Sequence, residues 1–126
     1  MSITRNQYWR SRKGMRFEEL AVKHLQQRGL RLLQRNFRCS MGEIDLVMQH
    51  RDMLVFVEVR FRGNPDFGGA VATITRDKQH RLLQTARYFL LCHREYQQHP
   101  CRFDVVGITP GTGTSPCFEW IQDAFA

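Results

Sequence analysis

Apolar residues recur every three or four positions in two segments of the chain, and this spacing is typical of helices that bury one face. The first segment covers about residues 15–28 and ends before Gly29, a common residue after a helix C-terminus. The second covers about residues 76–94. Both segments predict helices, whose apolar stripes are Phe17, Leu20, Ala21 and Leu25 in the first and Leu82, Leu83, Ala86, Phe89 and Leu90 in the second.

Two runs rich in β-branched and other apolar residues, at 43–48 and 54–62, predict a β-hairpin with a short polar break between its strands. If residues 51 and 52 form a two-residue turn, Asp45 lies opposite Glu58. A slip of one residue would send the side chains to the other faces.

Two further runs, at 102–108 and 118–121, predict a third strand and a short edge strand before a C-terminal turn. The resulting order is helix, hairpin, helix, strand, strand, which indicates a small α/β fold. No change of composition divides this region. We therefore expect a single domain over residues 14–126, preceded by a basic arm over residues 1–13 that is either flexible or lies over the core.

Positive charge is concentrated near the N-terminus. The net charge is +7, and residues 1–38 hold ten of the 19 basic residues but only two of the 12 acidic ones. This excess indicates a polyanionic partner such as nucleic acid, although a solvated basic face has the same composition. The candidate phosphate contacts in this region are Arg5, Arg10, Arg12, Lys13 and Arg16.

Membrane and secretory classes are not supported by the sequence. No apolar run approaches the roughly 20 residues that a membrane-spanning helix needs, and no apolar core follows the basic N-terminus, as it would in a secretory signal. The four cysteines lack the paired spacing of zinc sites. We therefore expect a cytoplasmic protein with reduced thiols and no membrane partner.

The opposed carboxylates of Asp45 and Glu58 are the main candidates for chemistry. A fold keeps such a pair only if one acid is protonated, if arginines neutralise both, or if a divalent cation lies between them. Arg60 and Arg62 share the strand face of Glu58, so an ion-pair cluster and a metal site are alternatives. Glu18, at the flank of the first apolar stripe, either needs a partner at the rim of the core or simply favours the helix N-terminus.

Several short motifs resemble a known family. The segments Gly42-Glu-Ile-Asp-Leu-Val47 and Phe56-Val-Glu-Val-Arg60 resemble the (P)D…(D/E)xK nuclease signature. With FEELAxxxLxxxG at residues 17–29, Lys78-Gln79 and Arg102-Phe-Asp-Val-Val106, the chain is similar to the YraN-type family of small bacterial proteins from about residue 14 to residue 125. The resemblance implies a three-layer α/β/α restriction-endonuclease-like core with a mixed sheet.

That family is regarded as a group of predicted endonucleases with a distant similarity to Holliday-junction resolvases. The resemblance implies that Asp45 and Glu58 bind Mg²⁺ or Mn²⁺, with Glu18 as a further acidic ligand and Gln79, on the second helix, in support. The implied activity is metal-dependent cleavage of DNA, with branched DNA as a candidate substrate. By analogy with enzymes that cut junctions at two sites, it also implies a homodimer.

Arg60 is a departure from the signature, which has lysine at this position. Arginine does not lose its proton in proteins and so cannot act as a general base, but it can stabilise charge on a phosphate. The alternative function is therefore a nucleic-acid-binding module on a nuclease scaffold, without turnover. Arg62 and Lys78 are further candidate contacts to nucleic acid. Glu43, on the strand face of Asp45, either orients the metal ligands or is a solvated acid at the strand end.

Deleting residues 1–13 removes four basic residues of the arm, namely Arg5, Arg10, Arg12 and Lys13. Each lost phosphate contact reduces the slope of log affinity against log salt by roughly 0.9. We therefore expect the truncated chain to bind nucleic acid more weakly and with a flatter salt dependence. Fluorescence anisotropy over a salt series measures this slope, and an unchanged slope would place the binding surface elsewhere.

Overall fold

The computed structural model describes residues 12–62, 69–109 and 115–125. This part of the chain contains two α-helices and five strands. The elements in chain order are α1 (Arg12–Gln26), β1 (Arg31–Cys39), β2 (Gly42–His50), β3 (Met53–Phe61), α2 (Arg76–Cys92), β4 (Cys101–Thr109) and β5 (Cys117–Phe125). Short 3-10 helices lie on either side of α2, at Val71–Thr73 and Arg94–Tyr96.

The strands form one mixed sheet in the order β1-β2-β3-β4-β5. β3 and β4 are parallel and are joined by the crossover that contains α2, while the other neighbouring strands are antiparallel. The β2–β3 hairpin has the predicted register, with Leu46 opposite Val57. In its turn Arg51 has a φ of 61°, a left-handed conformation that is usual in two-residue hairpin turns.

A helix packs on each face of the sheet. Val55, Val57 and Val59 of β3 belong to the core cluster that contains the apolar stripe of α1, whereas Leu54 and Phe56 belong to the cluster that contains the stripe of α2. Burial on both faces explains why β3 is an almost continuous apolar run. The α/β class predicted from the sequence is confirmed. No helix in the described part of the chain is long and apolar enough to cross a membrane.

The structure differs from the sequence prediction in three elements. Strand β1 was not predicted, because it forms an edge of the sheet and only Phe37 among its nine residues is buried. The predicted C-terminal turn is wrong, since β5 continues to Phe125. Helix α1 begins at Arg12, within the predicted basic arm, and residues 1–11 of that arm lie outside the described residues.

Asp104 of β4 attaches the last strand to the sheet. Its side chain has no exposed surface, and it accepts hydrogen bonds from Trp120 Nε1 at 2.9 Å and from the Asp123 amide at 3.0 Å, both in β5. Arg102 Nε donates to the same carboxylate at 2.9 Å, and its Nη2 lies 2.9 Å from His50 Nδ1 in β2. These contacts cross the irregularity in the β4–β5 ladder and compensate for the burial of a charge.

Replacing Asp104 should therefore destabilise the fold. In Asp104→Asn one acceptor oxygen becomes a donor, and Arg102 loses its counter-charge in a buried position. We expect the free energy of unfolding to fall by about 2–4 kcal/mol. Asp52→Asn, in the exposed hairpin turn, is the matched control, with an expected change of about 0.5 kcal/mol or less. Urea unfolding followed by circular dichroism compares the two, and equal losses would contradict the structural role of Asp104.

Candidate metal centre

Asp45 lies where the alternation of strand β2 is interrupted. Ile44 and Val47 pack with the α2-side cluster, whereas Leu46 packs with the α1-side cluster, so residues 44 and 46 do not share a face. Asp45 Oδ2 accepts a hydrogen bond from the amide of Val59 at 2.9 Å. At this point a side-chain carboxylate, rather than a backbone carbonyl, bonds to β3. The carboxylate of Asp45 is therefore held between the two hairpin strands.

The carboxyl groups of Asp45 and Glu58 lie close enough for each to shift the pKa of the other. Glu58 is only 5% exposed. Burial, followed by the negative charge of Asp45, raises the pKa of Glu58 well above its usual value. Burial also raises the pKa of Asp45, although part of that residue remains accessible. This environment favours one shared proton over two full charges.

Two cations contact the same oxygen of Glu58. Arg60 Nη2 lies 3.5 Å and Lys78 Nζ lies 3.8 Å from Glu58 Oε2. Both cations lower the pKa of Glu58, but burial and Asp45 outweigh them. Arg60 is 5% exposed, and its buried Nε has no hydrogen-bond partner within the described residues. An unused donor on a buried guanidinium is expected where an oxyanion or an ordered water binds.

Glu18 approaches the acid pair from α1. It is 3% exposed, which agrees with its predicted place at the rim of the core. Desolvation and the charge of Asp45 raise its pKa to about 7, while a hydrogen bond with Asn36 and the charge of Arg35 act in the opposite direction. Asn36 belongs to β1 and has a φ of 51°. Glu18 is thus within electrostatic reach of Asp45, but its hydrogen-bond partner is on the edge strand.

Other predicted site residues make contacts with groups outside the acid pair. Gln79 Nε2 donates to the carbonyl oxygen of Ile74 at 3.1 Å, so its amide secures the start of α2 instead of pointing to the carboxylates. Glu43 pairs with Arg38 at 3.8 Å and lines a cleft beside α2. Arg62 is partly buried after the end of β3 and borders a second cavity, of about 260 Å³.

The predicted contacts in the basic arm remain predictions. Arg5 and Arg10 lie outside the described residues, and only the backbone of α1 is described at Arg12, Lys13 and Arg16. Sequence reasoning missed Asn36 as the partner of Glu18 because the strand that carries it was not predicted. The apolar pair Leu32 and Leu33, followed by the isolated Phe37, is the signal that would have indicated this strand.

The carboxylates of Asp45 and Glu58 fit a hard divalent cation. Mg²⁺ is usually bound by one or two carboxylates, with water and substrate phosphate completing its coordination. Among the residues that the structure describes, no group of three or more histidine, cysteine, aspartate or glutamate side chains is arranged to hold a metal ion. Zinc sites normally require such a group. Carboxylate oxygens are the donors that Mg²⁺ and Mn²⁺ prefer.

The raised pKa of Glu18 predicts a pH-dependent effect of its replacement. The folded chain favours the protonated form, so the stabilising contribution of Glu18 is fully present below its ordinary pKa of 4.5 and is lost as the pH rises through about 7. Glutamine resembles protonated glutamate at every pH. We expect Glu18→Gln to change stability little near pH 5 and to raise the free energy of unfolding by about 1–2 kcal/mol near pH 8.

Glu19→Gln is the control for this experiment. Glu19 pairs with Arg35 at 2.9 Å, and its side chain is 48% exposed, so its replacement should give no gain at high pH. Urea unfolding of both variants and the unmodified chain, in buffer with a chelator, measures the difference. The same pH dependence in the two variants would contradict the buried environment of Glu18.

Comparison with known proteins agrees with the motifs. The chain matches the Uncharacterised protein family UPF0102 over residues 17–108. It is 50% identical to a UPF0102 protein of Nitrosococcus oceani over 113 residues, which are 90% of each chain. A UPF0102 protein of Alcanivorax borkumensis is 44% identical over 118 residues, covering 92% of this chain and 94% of the relative. A UPF0102 protein of Psychrobacter sp. is 50% identical, and the match covers 92% of this chain and 89% of the relative. The chain therefore belongs to the UPF0102 family, the YraN-type family that its motifs indicate.

Proposed function

We propose that this chain is a Mg²⁺-dependent endonuclease that hydrolyses phosphodiester bonds in DNA. The observation that carries the proposal is the pair of neighbouring acids Asp45 and Glu58, the first held by the Val59 amide and the second contacted by two cations. Carboxylates that bind a divalent cation, placed beside fixed positive charges, are the combination that phosphodiester cleavage needs. Ionisable groups with strongly shifted pKa values also concentrate at functional sites.

Asp45 and Glu58 would hold the cation, which when bound supplies a Lewis acid and acidifies a water molecule. Because the shared proton must leave the pair before both carboxylates can bind, affinity for the cation should increase with pH. The Val59 amide keeps Asp45 in place. Glu18, whose pKa is about 7, would bind the cation directly or through water, and it can also exchange a proton near neutral pH.

Arg60 and Lys78 would stabilise negative charge on the phosphate. Arg60 stays protonated, so its contribution is electrostatic. Lys78 brings an amine from α2 to 3.8 Å from Glu58 Oε2. The site therefore contains a lysine, even though the strand motif has arginine at its lysine position.

The +7 net charge and its concentration near the N-terminus favour a nucleic-acid substrate, and the resemblance to the nuclease signature favours DNA. The resemblance to junction resolvases favours branched DNA, a homodimer and a cytoplasmic location. Each of these is part of the proposal.

The second candidate is a DNA-binding module without turnover. The observation that favours it is that Arg60 and Lys78 both lie against Glu58 Oε2. Two positive charges beside a proton-sharing acid pair compensate its negative charge without any metal ion. Binding of Mn²⁺ separates the two candidates, since a hydrolase of this kind must bind the cation and a binding module need not.

A cleavage panel tests the proposed activity. Single-stranded, duplex, flap and four-way DNA are incubated with Mg²⁺ or Mn²⁺ and the unmodified chain, Asp45→Asn or Glu58→Gln. We expect each variant to lose cleavage by roughly 10³-fold or more, because the cation loses one of its two protein carboxylates. Mn²⁺ binding, followed by electron paramagnetic resonance, should weaken in parallel.

Asp52→Asn and Glu19→Gln are the matched controls for that panel, since they make the same chemical changes at exposed positions and should cleave normally. Cleavage that survives unchanged in both Asp45→Asn and Glu58→Gln would contradict the proposal and indicate a contaminating nuclease. An unmodified chain that binds DNA but neither binds Mn²⁺ nor cleaves would support the second candidate.

The electrostatic role of Arg60 gives a separate prediction. Arg60→Ala should lower cleavage by roughly 10²–10³-fold, the usual effect of removing one preorganised group that stabilises the transition state. Arg60→Lys keeps the positive charge and should retain substantial activity. Single-turnover rates on the best substrate of the panel measure both. An inert unmodified chain alongside an active Arg60→Lys variant would show that the site needs a lysine, and would make the natural protein a binding module.

A further inference from the structure

A polar cleft of about 370 Å³ adjoins the acid pair. One wall is the end of β1 and its turn into β2, from Arg38 to Glu43, and the other is the first two turns of α2, with Lys78 and Arg81. Lys78 also contacts Glu58 at 3.8 Å. The cleft and the acid pair therefore share one side chain and form neighbouring parts of a single surface.

The charge of the cleft is positive. Among the described residues that line it, Arg38, Lys78 and Arg81 are cationic and Glu43 is acidic. Arg38 Nε lies 3.8 Å from Glu43 Oε2, and 52% of the Arg38 side chain is exposed. Arg81 is exposed as well. Cations that converge from two elements on a concave surface attract and position an anion.

The walls of the cleft are fixed to each other. A Cβ atom on Gly42 would lie 3.0 Å from Thr85 Oγ1, so the turn approaches α2 as closely as a glycine allows. The Thr85 hydroxyl is buried and donates to the carbonyl oxygen of Arg81 at 2.7 Å. Cys39 Sγ also contacts this hydroxyl, at 3.9 Å. The spacing of the two backbone segments that carry Arg38 and Arg81 is thus set by packing before any ligand binds.

We propose that this cleft binds a backbone phosphate of the substrate strand, next to the phosphodiester at the acid pair. The inference rests on the proposed function for the substrate and adds Arg38 and Arg81 as positioning residues. Among the described residues that line the cleft, none is aromatic, while three are cationic. Recognition is therefore of the phosphate and its sugar, which fixes the register of the strand independently of sequence.

Binding without cleavage tests the cleft. A short fluorescent DNA strand is titrated with the full chain, in a chelator, by anisotropy at several salt concentrations. Arg81→Gln and Arg38→Gln should each weaken binding by roughly tenfold and reduce the salt slope by about 1, because each variant loses one phosphate contact. Arg87→Gln is the matched control. Arg87 is also an exposed arginine of α2, but it does not line the cleft, and its replacement should have little effect.

A second measurement locates the contact on the strand. A single neutral methylphosphonate is moved along the oligonucleotide, one linkage at a time. Neutralising the phosphate that lies in the cleft should weaken binding to the unmodified chain and to Arg87→Gln. The same substitution should weaken the binding of Arg81→Gln less, because one of the cationic contacts to that phosphate is already lost.

The two proposals can fail separately. If Arg81→Gln and Arg38→Gln bind like Arg87→Gln, or if no linkage shows the selective effect, the cleft proposal is overturned while the cleavage panel still decides the function. If Asp45→Asn and Glu58→Gln cleave like the unmodified chain, the proposed function is overturned while the binding series still decides the cleft. An unmodified chain with no affinity for DNA overturns the cleft proposal.

Discussion

The hydrogen bond from the Val59 amide to the Asp45 carboxylate is the contact on which the centre of the molecule depends. It substitutes a side chain for a backbone acceptor within the hairpin, and it coincides with the break in alternation of β2. The carboxylate is consequently fixed beside Glu58 in a region with little water. Two acids so placed need compensation. Arg60 and Lys78 contact Glu58, and the raised pKa of both acids favours a proton on the pair.

Every layer of the fold contributes to this centre. α1 brings Glu18 to the acid pair from one side of the sheet, and α2 brings Lys78 from the other, while the hairpin provides both carboxylates. The sheet is the common reference for these positions, since both helices pack against its central strands. Any change that shifts a helix along the sheet would therefore alter the electrostatics of the site without touching the carboxylates themselves.

The parts of the site that the sequence predicted are those that depend on a regular repeat. The two-residue turn sets the register that pairs Leu46 with Val57 and so brings Asp45 near Glu58, and the helical period places Glu18 at the edge of the core. The helical period predicts the face on which a residue lies but not the rotamer of its side chain. Gln79 was therefore expected beside the acids, whereas its amide donates to the carbonyl oxygen of Ile74.

Irregular features account for the parts that were not predicted. The interruption at Asp45 leaves no trace in the apolar pattern, since the residues on either side are both apolar and both faces of the sheet are buried. Strand β1 has a single buried residue, so burial gives its sequence no clear alternation. The contact between Asn36 and Glu18 depends on that strand, and the contact of Lys78 depends on the reach of a long side chain.

The number of residues in the hairpin turn at Arg51 and Asp52 is constrained, although the turn is exposed. Exposed turns ordinarily accept extra residues, because few contacts depend on them. Here one inserted residue would shift the pairing of the strands and send Glu58 and Arg60 to the opposite face, unless a bulge absorbed it. The identity of these turn residues is loosely constrained, provided that a left-handed conformation is available at Arg51. The number of turn residues, in contrast, is tightly constrained. We therefore expect substitutions to accumulate at this turn over evolutionary time, while insertions and deletions are removed by selection.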